Sequence, residues 1–261
     1  KTYYQVPIEK EHNEQRAEQL KNLVLPFVLR RTKEQVLTEL PAKTELVRMI
    51  ELAPKQQMVY QGIRANMEQK IKELFKEQGA DKSRFAFLEA LLRLRQACCD
   101  PRLVNGAEDI EQQDLLPNTS NTADSAKLTW LCENIPLMLS KGRKIIIFSQ
   151  FTSMLSIIEQ ELVELNVRYS ILTGKTKDRD EAVNSFQNGD NPIFLISLKA
   201  GGTGLNLTKA DTVIHYDPWW NPAVERQATD RAHRIGQLKP VFVYKLICQN
   251  SIRASFPNAA R

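Results

Sequence analysis

Residues 215–237 read HYDPWWNPAVERQATDRAHRIGQ. The stretch opens at the end of an apolar run, DTVIHY, which predicts a buried strand. A turn rich in Trp and Pro follows. Asn221 suits an N-cap and Pro222 the first helical position, so a helix is expected to start there. Gln227, Arg231 and Arg234 are spaced four and then three apart, which on a helix puts them on one face. Two guanidiniums and an amide at the mouth of a parallel sheet suit a ligand with dispersed negative charge, such as a triphosphate nearing its transition state. The alternative for arginines at this spacing is a solvated face.

Working outward, strands and helices alternate. Helices are expected over 125–139, 153–165 and 178–186, and strands over 144–149, 168–172, 193–197, 212–216 and 241–247. Runs such as IIIF and IFLI are apolar without alternation, which fits strands buried on both sides. The fold class is therefore α/β: a mainly parallel sheet with helices on both faces. Residues 193–214, IFLISLKAGGTGLNLTKADTVI, place Gly201, Gly202 and Gly204 just after a strand. Glycines there let backbone N–H groups approach a phosphate; a plain tight turn is the alternative.

QATDRAHRIGQ after DPWWNP resembles the last helicase motif of the Swi/Snf-type DNA-dependent ATPases, a branch of the superfamily 2 helicases. DEAD-box RNA helicases end that motif with Gly-Arg and a further Arg, whereas Ile235-Gly236-Gln237 follows Arg234 here. The resemblance implies a RecA-like second helicase lobe over 125–261. Residues 1–124 would supply the end of the first lobe, a mainly helical protrusion and a linker. It implies ATP-driven movement along double-stranded DNA, with Arg231 and Arg234 as arginine fingers and Gly204, Asn206 and Gln227 towards the nucleotide. Ser197, Lys199, Gly201 and Gly202 would face a DNA backbone phosphate. KIIIFSQFT (144–152) resembles the motif at the lobe's first strand and adds Ser149 and Gln150 to the DNA side. LTGKTKDRDEAVNSF (172–186) resembles the neighbouring backbone motif, in which Asp usually precedes the Gly; here only Gly174 and Lys175 are phosphate candidates. LPFVLRRTK resembles the close of the first lobe, which would put Arg30 and Arg31 near nucleotide or duplex, with plain surface arginines as the alternative, and Arg93 and Arg95 are further candidates for duplex contact.

The GKT of residues 174–176 is not a P-loop, because Tyr169 stands where its first Gly belongs. No acidic box follows a strand. ATP and Mg2+ are therefore expected to be held mainly by a first lobe outside this chain, and no metal site is expected within it. Two other classes stay open: a nucleic-acid-binding module without hydrolysis, and an RNA-dependent helicase.

Composition is that of an ordinary soluble globular protein, 42% hydrophobic and 26% charged. The net charge of +5 fits nucleic acid but does not single it out. Neither a membrane span nor a signal peptide is legible. An intracellular setting is expected, cytoplasm or nucleoid over nucleus, with the cysteines (98, 99, 132 and 248) reduced. Upstream, the sequence predicts a strand over 44–52, helices over 55–78 and 84–97, and an acidic loop over 105–124. His215 and His233 lack metal-ligand spacing and read as structural; of Trp219 and Trp220, packing of one against the motif helix is favoured, with stacking or wedging of an exposed Trp at DNA as the alternative.

Overall fold

The computed structural model describes residues 3–28, 40–78, 80–104, 124–201 and 204–251. The chain divides into two compact units, Lys1–Leu40 and Pro41–Arg261. The first holds α1 (Gln5–Glu9) and α2 (Glu14–Val24). Asn13 caps α2, its side chain accepting from Arg16 N at 3.1 Å.

The second unit is built on a six-stranded sheet. Its strands are β1 (Lys43–Ile50), β2 (Ile145–Ser149), β3 (Tyr169–Leu172), β4 (Ile193–Ser197), β5 (Thr212–His215) and β6 (Val241–Cys248). Their order is β1-β6-β5-β2-β4-β3, and every pairing is parallel. The helices are α3 (Pro54–Gln78), α4 (Ala80–Cys99), α5 (Ala126–Ser140), α6 (Thr152–Glu164), α7 (Arg179–Gln187), α8 (Leu198–Gly201) and α9 (Pro222–Thr229).

The period of two along each strand sorts the core into two layers. Ile145 and Ile147 of β2 join Leu195, Ile214 and Leu246 in a cluster with Leu128 and Leu131 of α5 and Leu155 and Ile158 of α6. Their neighbours Ile146 and Phe148 point the other way. They meet Phe194, Ile196 and Val213, with Phe186 of α7 and Ala228 of α9. Each of these large side chains contributes roughly 1.5–3 kcal/mol by leaving water. Such two-sided burial requires the unbroken apolar runs seen in the sequence.

The upstream segment differs from expectation. The sequence placed the strand near residue 44 ahead of the lobe, but β1 is an edge strand of the lobe's own sheet, paired along its length with β6. The compact unit begins at Pro41, whereas the sequence drew its boundary at 124/125. Gln56, fully buried, fastens the helices to it. Its amide donates to Ala97 O at 2.8 Å and accepts from Ala126 N at 3.1 Å. The acidic loop expected over 105–124 falls, but for Asp124, outside the described residues, as do Arg30 and Arg31.

Candidate functional site

Parallel strands put all their carboxyl ends on one edge, and here the chain leaves β2 in one direction and returns past it between β4 and β5. Crevices at such a reversal bind ligands in open α/β sheets. Ser149 and Ser197 end β2 and β4 as register partners, and Phe148 pairs with His215 of β5. The β2 loop, the glycine segment after β4 and the turn after β5 therefore meet at one edge, with the Thr173–Thr176 turn beside them after β3.

Ser149 and Ser197 are buried, and their hydroxyls are engaged internally. Ser149 Oγ accepts from Phe151 N at 3.1 Å, and Ser197 Oγ accepts from Ala200 N at 3.3 Å, opening α8. Each of the two serines thus staples the loop that follows its strand. Gln150 is half-buried and Lys199 is exposed. Gly174 and Lys175 are exposed in a turn closed by two threonines: Thr173 N donates to Thr176 Oγ1 at 2.9 Å and Lys175 N to Thr173 Oγ1 at 3.2 Å.

Gly201 is needed for packing. A Cβ there would lie 3.0 Å from Phe148 Cε1 and 3.3 Å from Ile196 Cγ2. Gly204 differs, because a Cβ would meet nothing within 4 Å, which leaves its surroundings open. Asn206 is exposed beside it, and Gly202 lies outside the described residues.

The arginine segment departs from a continuous helix. Asn221 caps α9 as expected, accepting from Ala223 N at 3.0 Å. The helix ends at Thr229, with Gln227 exposed on it. Arg231 and Arg234 lie in the turns that follow, so the shared helical face expected for the three residues is not formed. The bonds tighten there: Arg231 N reaches Ala228 O at 3.1 Å and Ala232 N reaches Thr229 O at 3.0 Å. Arg231 is half-buried and Arg234 exposed. Leu207 N, at the end of the glycine segment, donates to Arg231 O at 3.0 Å. That bond fastens the Gly204–Asn206 stretch to the arginine turn.

Beneath this surface lies a polar framework that the apolar patterning concealed. Lys245 of β6 sits 2.9 Å from Glu45 of β1 and 3.3 Å from the buried Glu225 of α9. Burial opposes ionisation of Glu45, but hydrogen bonds from Lys43 and Lys245 outweigh it and bring its pKa down to about 2. One turn after Glu225, Thr229 Oγ1 meets His215 Nε2 at 2.9 Å. Burial, with Lys245 adding to it, lowers the His215 pKa to about 3, so this ring is neutral. Gln237 is buried as well: its amide donates to Ala210 O at 2.7 Å and Ala232 O at 3.0 Å and accepts from Lys239 N at 2.9 Å.

Asp217, after β5, is a second hub. Gln150 N lies 3.2 and 3.1 Å from its two carboxylate oxygens. Burial raises its pKa to about 6 against the pull of Ser149, Lys127, Gln150 and Arg95. Lys127, buried, donates to Tyr216 O at 2.8 Å. Trp219 and Trp220 are half-buried, with the Arg95 guanidinium 4.8 and 5.6 Å from their rings. Arg93 pairs with Glu89 at 2.9 Å. Both Arg93 and Arg95 are largely covered, which turns them from the duplex-facing role expected of them. The structural reading of both histidines agrees with their bonds, that of His233 being to Pro41 O at 2.9 Å.

Among the described residues, no group of three or more His, Cys, Asp or Glu side chains could hold a metal ion. Among the described residues, Lys175, Lys199 and Arg234 are exposed and Arg231 is half-buried. Their chemistry fits phosphates.

Residues 1–103 match the SNF2-related domain, and residues 126–236 match the helicase conserved C-terminal domain. A putative ATP-dependent helicase/translocase of Bacillus subtilis, YwqA, is 40% identical over 95% of this chain and 26% of its own length. The chain thus spans about a quarter of the length of the curated relatives it matches. The Sulfolobus solfataricus SWI2/SNF2 ATPase core in complex with dsDNA superposes with a TM-score of 0.65 at 35% identity, over 95% of this chain and 50% of that one. The C-terminal domain of the same archaeal ATPase superposes with a TM-score of 0.62 at 33% identity, over 79% of this chain and 80% of that one.

Proposed function

The chain belongs to the SNF2-related family of ATP-dependent helicases, and from that premise we propose that it forms the C-terminal half of an ATP-driven translocase on double-stranded DNA. Arg231 and Arg234 act as arginine fingers, with Gly204, Asn206 and Gln227 beside the nucleotide. Gln150, Gly174, Lys175, Lys199 and Gly202 line the path of a DNA backbone, and Ser149, Ser197 and Gly201 shape the loops that present them. The observation that carries this reading is the Leu207 N to Arg231 O bond, which fastens the Gly204–Asn206 stretch to the arginine turn. The two ends of the segment from Lys199 to Asn206 would serve the two ligands, so a duplex seated against one end displaces the arginines at the other.

ATP supplies the phosphoanhydride whose cleavage drives movement, and a first lobe ahead of this chain holds most of it together with Mg2+. The part played here is electrostatic. Guanidiniums take up the charge that spreads over the transferring phosphoryl group, an effect worth roughly 10³ to 10⁵ in rate. The contacts proposed for DNA are to phosphates, so affinity depends weakly on sequence and strongly on salt.

The test is ATP turnover by the full-length polypeptide with duplex DNA, single-stranded DNA or RNA as activator. Duplex DNA is expected to stimulate most. Arg234→Ala is expected to remove that stimulated turnover while leaving the fold and duplex affinity near wild type. Stimulation chiefly by RNA would move the protein to the RNA-dependent class. Duplex binding without turnover would leave a nucleic-acid-binding module.

A further inference from the structure

We propose that Arg95 is a positioning residue for DNA-stimulated turnover, holding from α4 the junction between the DNA-facing β2 loop and the turn that launches α9. The inference rests on the translocase reading above, and it concerns a residue that touches neither ligand.

The junction is Asp217. Its carboxylate receives Gln150 N on both oxygens, at 3.2 and 3.1 Å, while the Gln150 side-chain amide donates to Asp217 O at 3.1 Å. These bonds make the β2 loop and the Asp217–Trp220 turn one body. Asn221, the cap of α9, follows directly. Arg95 enters from α4, with its side chain only 12% exposed and its guanidinium 3.8 Å from Asp217. The same guanidinium lies 4.8 Å from the Trp219 ring and 5.6 Å from those of Trp220 and Phe151. Phe151 belongs to the β2 loop and the two tryptophans to the α9 turn, so one planar cation touches both parts of the junction and its carboxylate. Lysine carries the charge but lacks the flat face that stacks on rings while reaching an acid. A displacement of Gln150 by a duplex is thereby passed to the start of α9, and α4 supplies the fixed point against which it moves.

The experiment compares full-length wild type, Arg95→Ala and Arg95→Lys. ATP turnover is measured without DNA and with saturating duplex, alongside duplex Kd and thermal unfolding. Arg95→Ala is expected to cut the duplex-stimulated kcat about 5- to 150-fold, the usual span of a coupling between sites. The DNA-independent rate and duplex Kd should stay within about twofold of wild type. Arg95→Lys should recover part of the stimulation, and it serves as the test variant if the alanine protein fails to fold. Equal loss of stimulated and unstimulated rates would overturn the proposal in favour of a merely structural role. Weakened duplex binding with kcat intact would overturn it in favour of a direct DNA contact. Full stimulation in both variants would exclude any coupling through Arg95. Wild type that duplex DNA fails to stimulate would instead bring down the translocase reading itself, and this inference with it.

Discussion

Gln237→Ala tests how the arginine turn is held. The side chain makes three bonds, to Ala210 O at 2.7 Å, Ala232 O at 3.0 Å and from Lys239 N at 2.9 Å. At a net worth of about 1 kcal/mol per bond, their loss costs ~3 kcal/mol. Ala210 and Ala232 are both fully buried, so their carbonyls lose partners in a place that water reaches poorly. For a domain of this size, 1 kcal/mol shifts Tm by about 2–4 °C, so a fall of roughly 6–12 °C is expected. Calorimetry on wild type, Gln237→Ala and Gln237→Leu measures it. Leucine restores apolar volume but none of the bonds, so it should fall nearly as far as alanine. A leucine variant melting with wild type would show that the site needs only filling and would refute the reasoning. A fall below about 2 °C in both variants would do the same.

Lys245→Met leaves the buried Glu225 without its cation, while the exposed Glu45 keeps Lys43 at 2.8 Å, and the expected cost, carried by Glu225, is about 3–5 kcal/mol in urea unfolding. Adding Glu225→Leu should restore much of that loss; no recovery in the double variant would mean the pair is not the source. His215 gives a pH signature. Its folded pKa of about 3 lies below the ordinary 6.5, so its stabilisation is complete above 6.5 and is lost as pH falls towards 3. The unfolding free energy of wild type minus that of His215→Gln should drop by about 1.4 kcal/mol per pH unit across that window, and a difference independent of pH would contradict the buried neutral ring. Duplex affinity should fall steeply with salt, with Lys175→Ala and Lys199→Ala each lowering the slope of log K against log salt by about one. An unchanged slope would remove that lysine from the proposed DNA path.

The sheet was legible in the sequence because its strands are buried on both faces, a condition that leaves unbroken apolar runs such as IIIF and IFLI. β1 was legible as a strand but not as part of this sheet. At an edge, half exposed, it carries no mark of which strand it will join. The hydroxyls of Ser149 and Ser197 looked like ligand groups because strand ends at a carboxyl edge often supply them. Only the three-dimensional loop shows them already engaged with backbone amides. Asp217 and Arg95 are separated in sequence by helices and strands, so their meeting had no local sign at all.

The arginine segment shows most clearly where local reading stops. Propensity and capping carry the helix from Asn221 onward, and nothing in QATDRAHR forbids two more turns. An α-helix running on would need Arg231 O and Ala232 O to accept from Ile235 N and Gly236 N. Thr229 O still accepts from His233 N at 3.1 Å, but Arg231 O accepts from Leu207 N and Ala232 O from the Gln237 side-chain amide, both at 3.0 Å. These bonds hold the turns that follow the end of the helix at Thr229. The Leu207 bond ties the arginine turn to the Gly204–Asn206 stretch, in place of a helix face that would hold the arginines in line with Gln227. Under the proposed function, a displacement of Gly204–Asn206 would reach Arg231 through that single backbone bond, without any helix having to turn as a rigid rod.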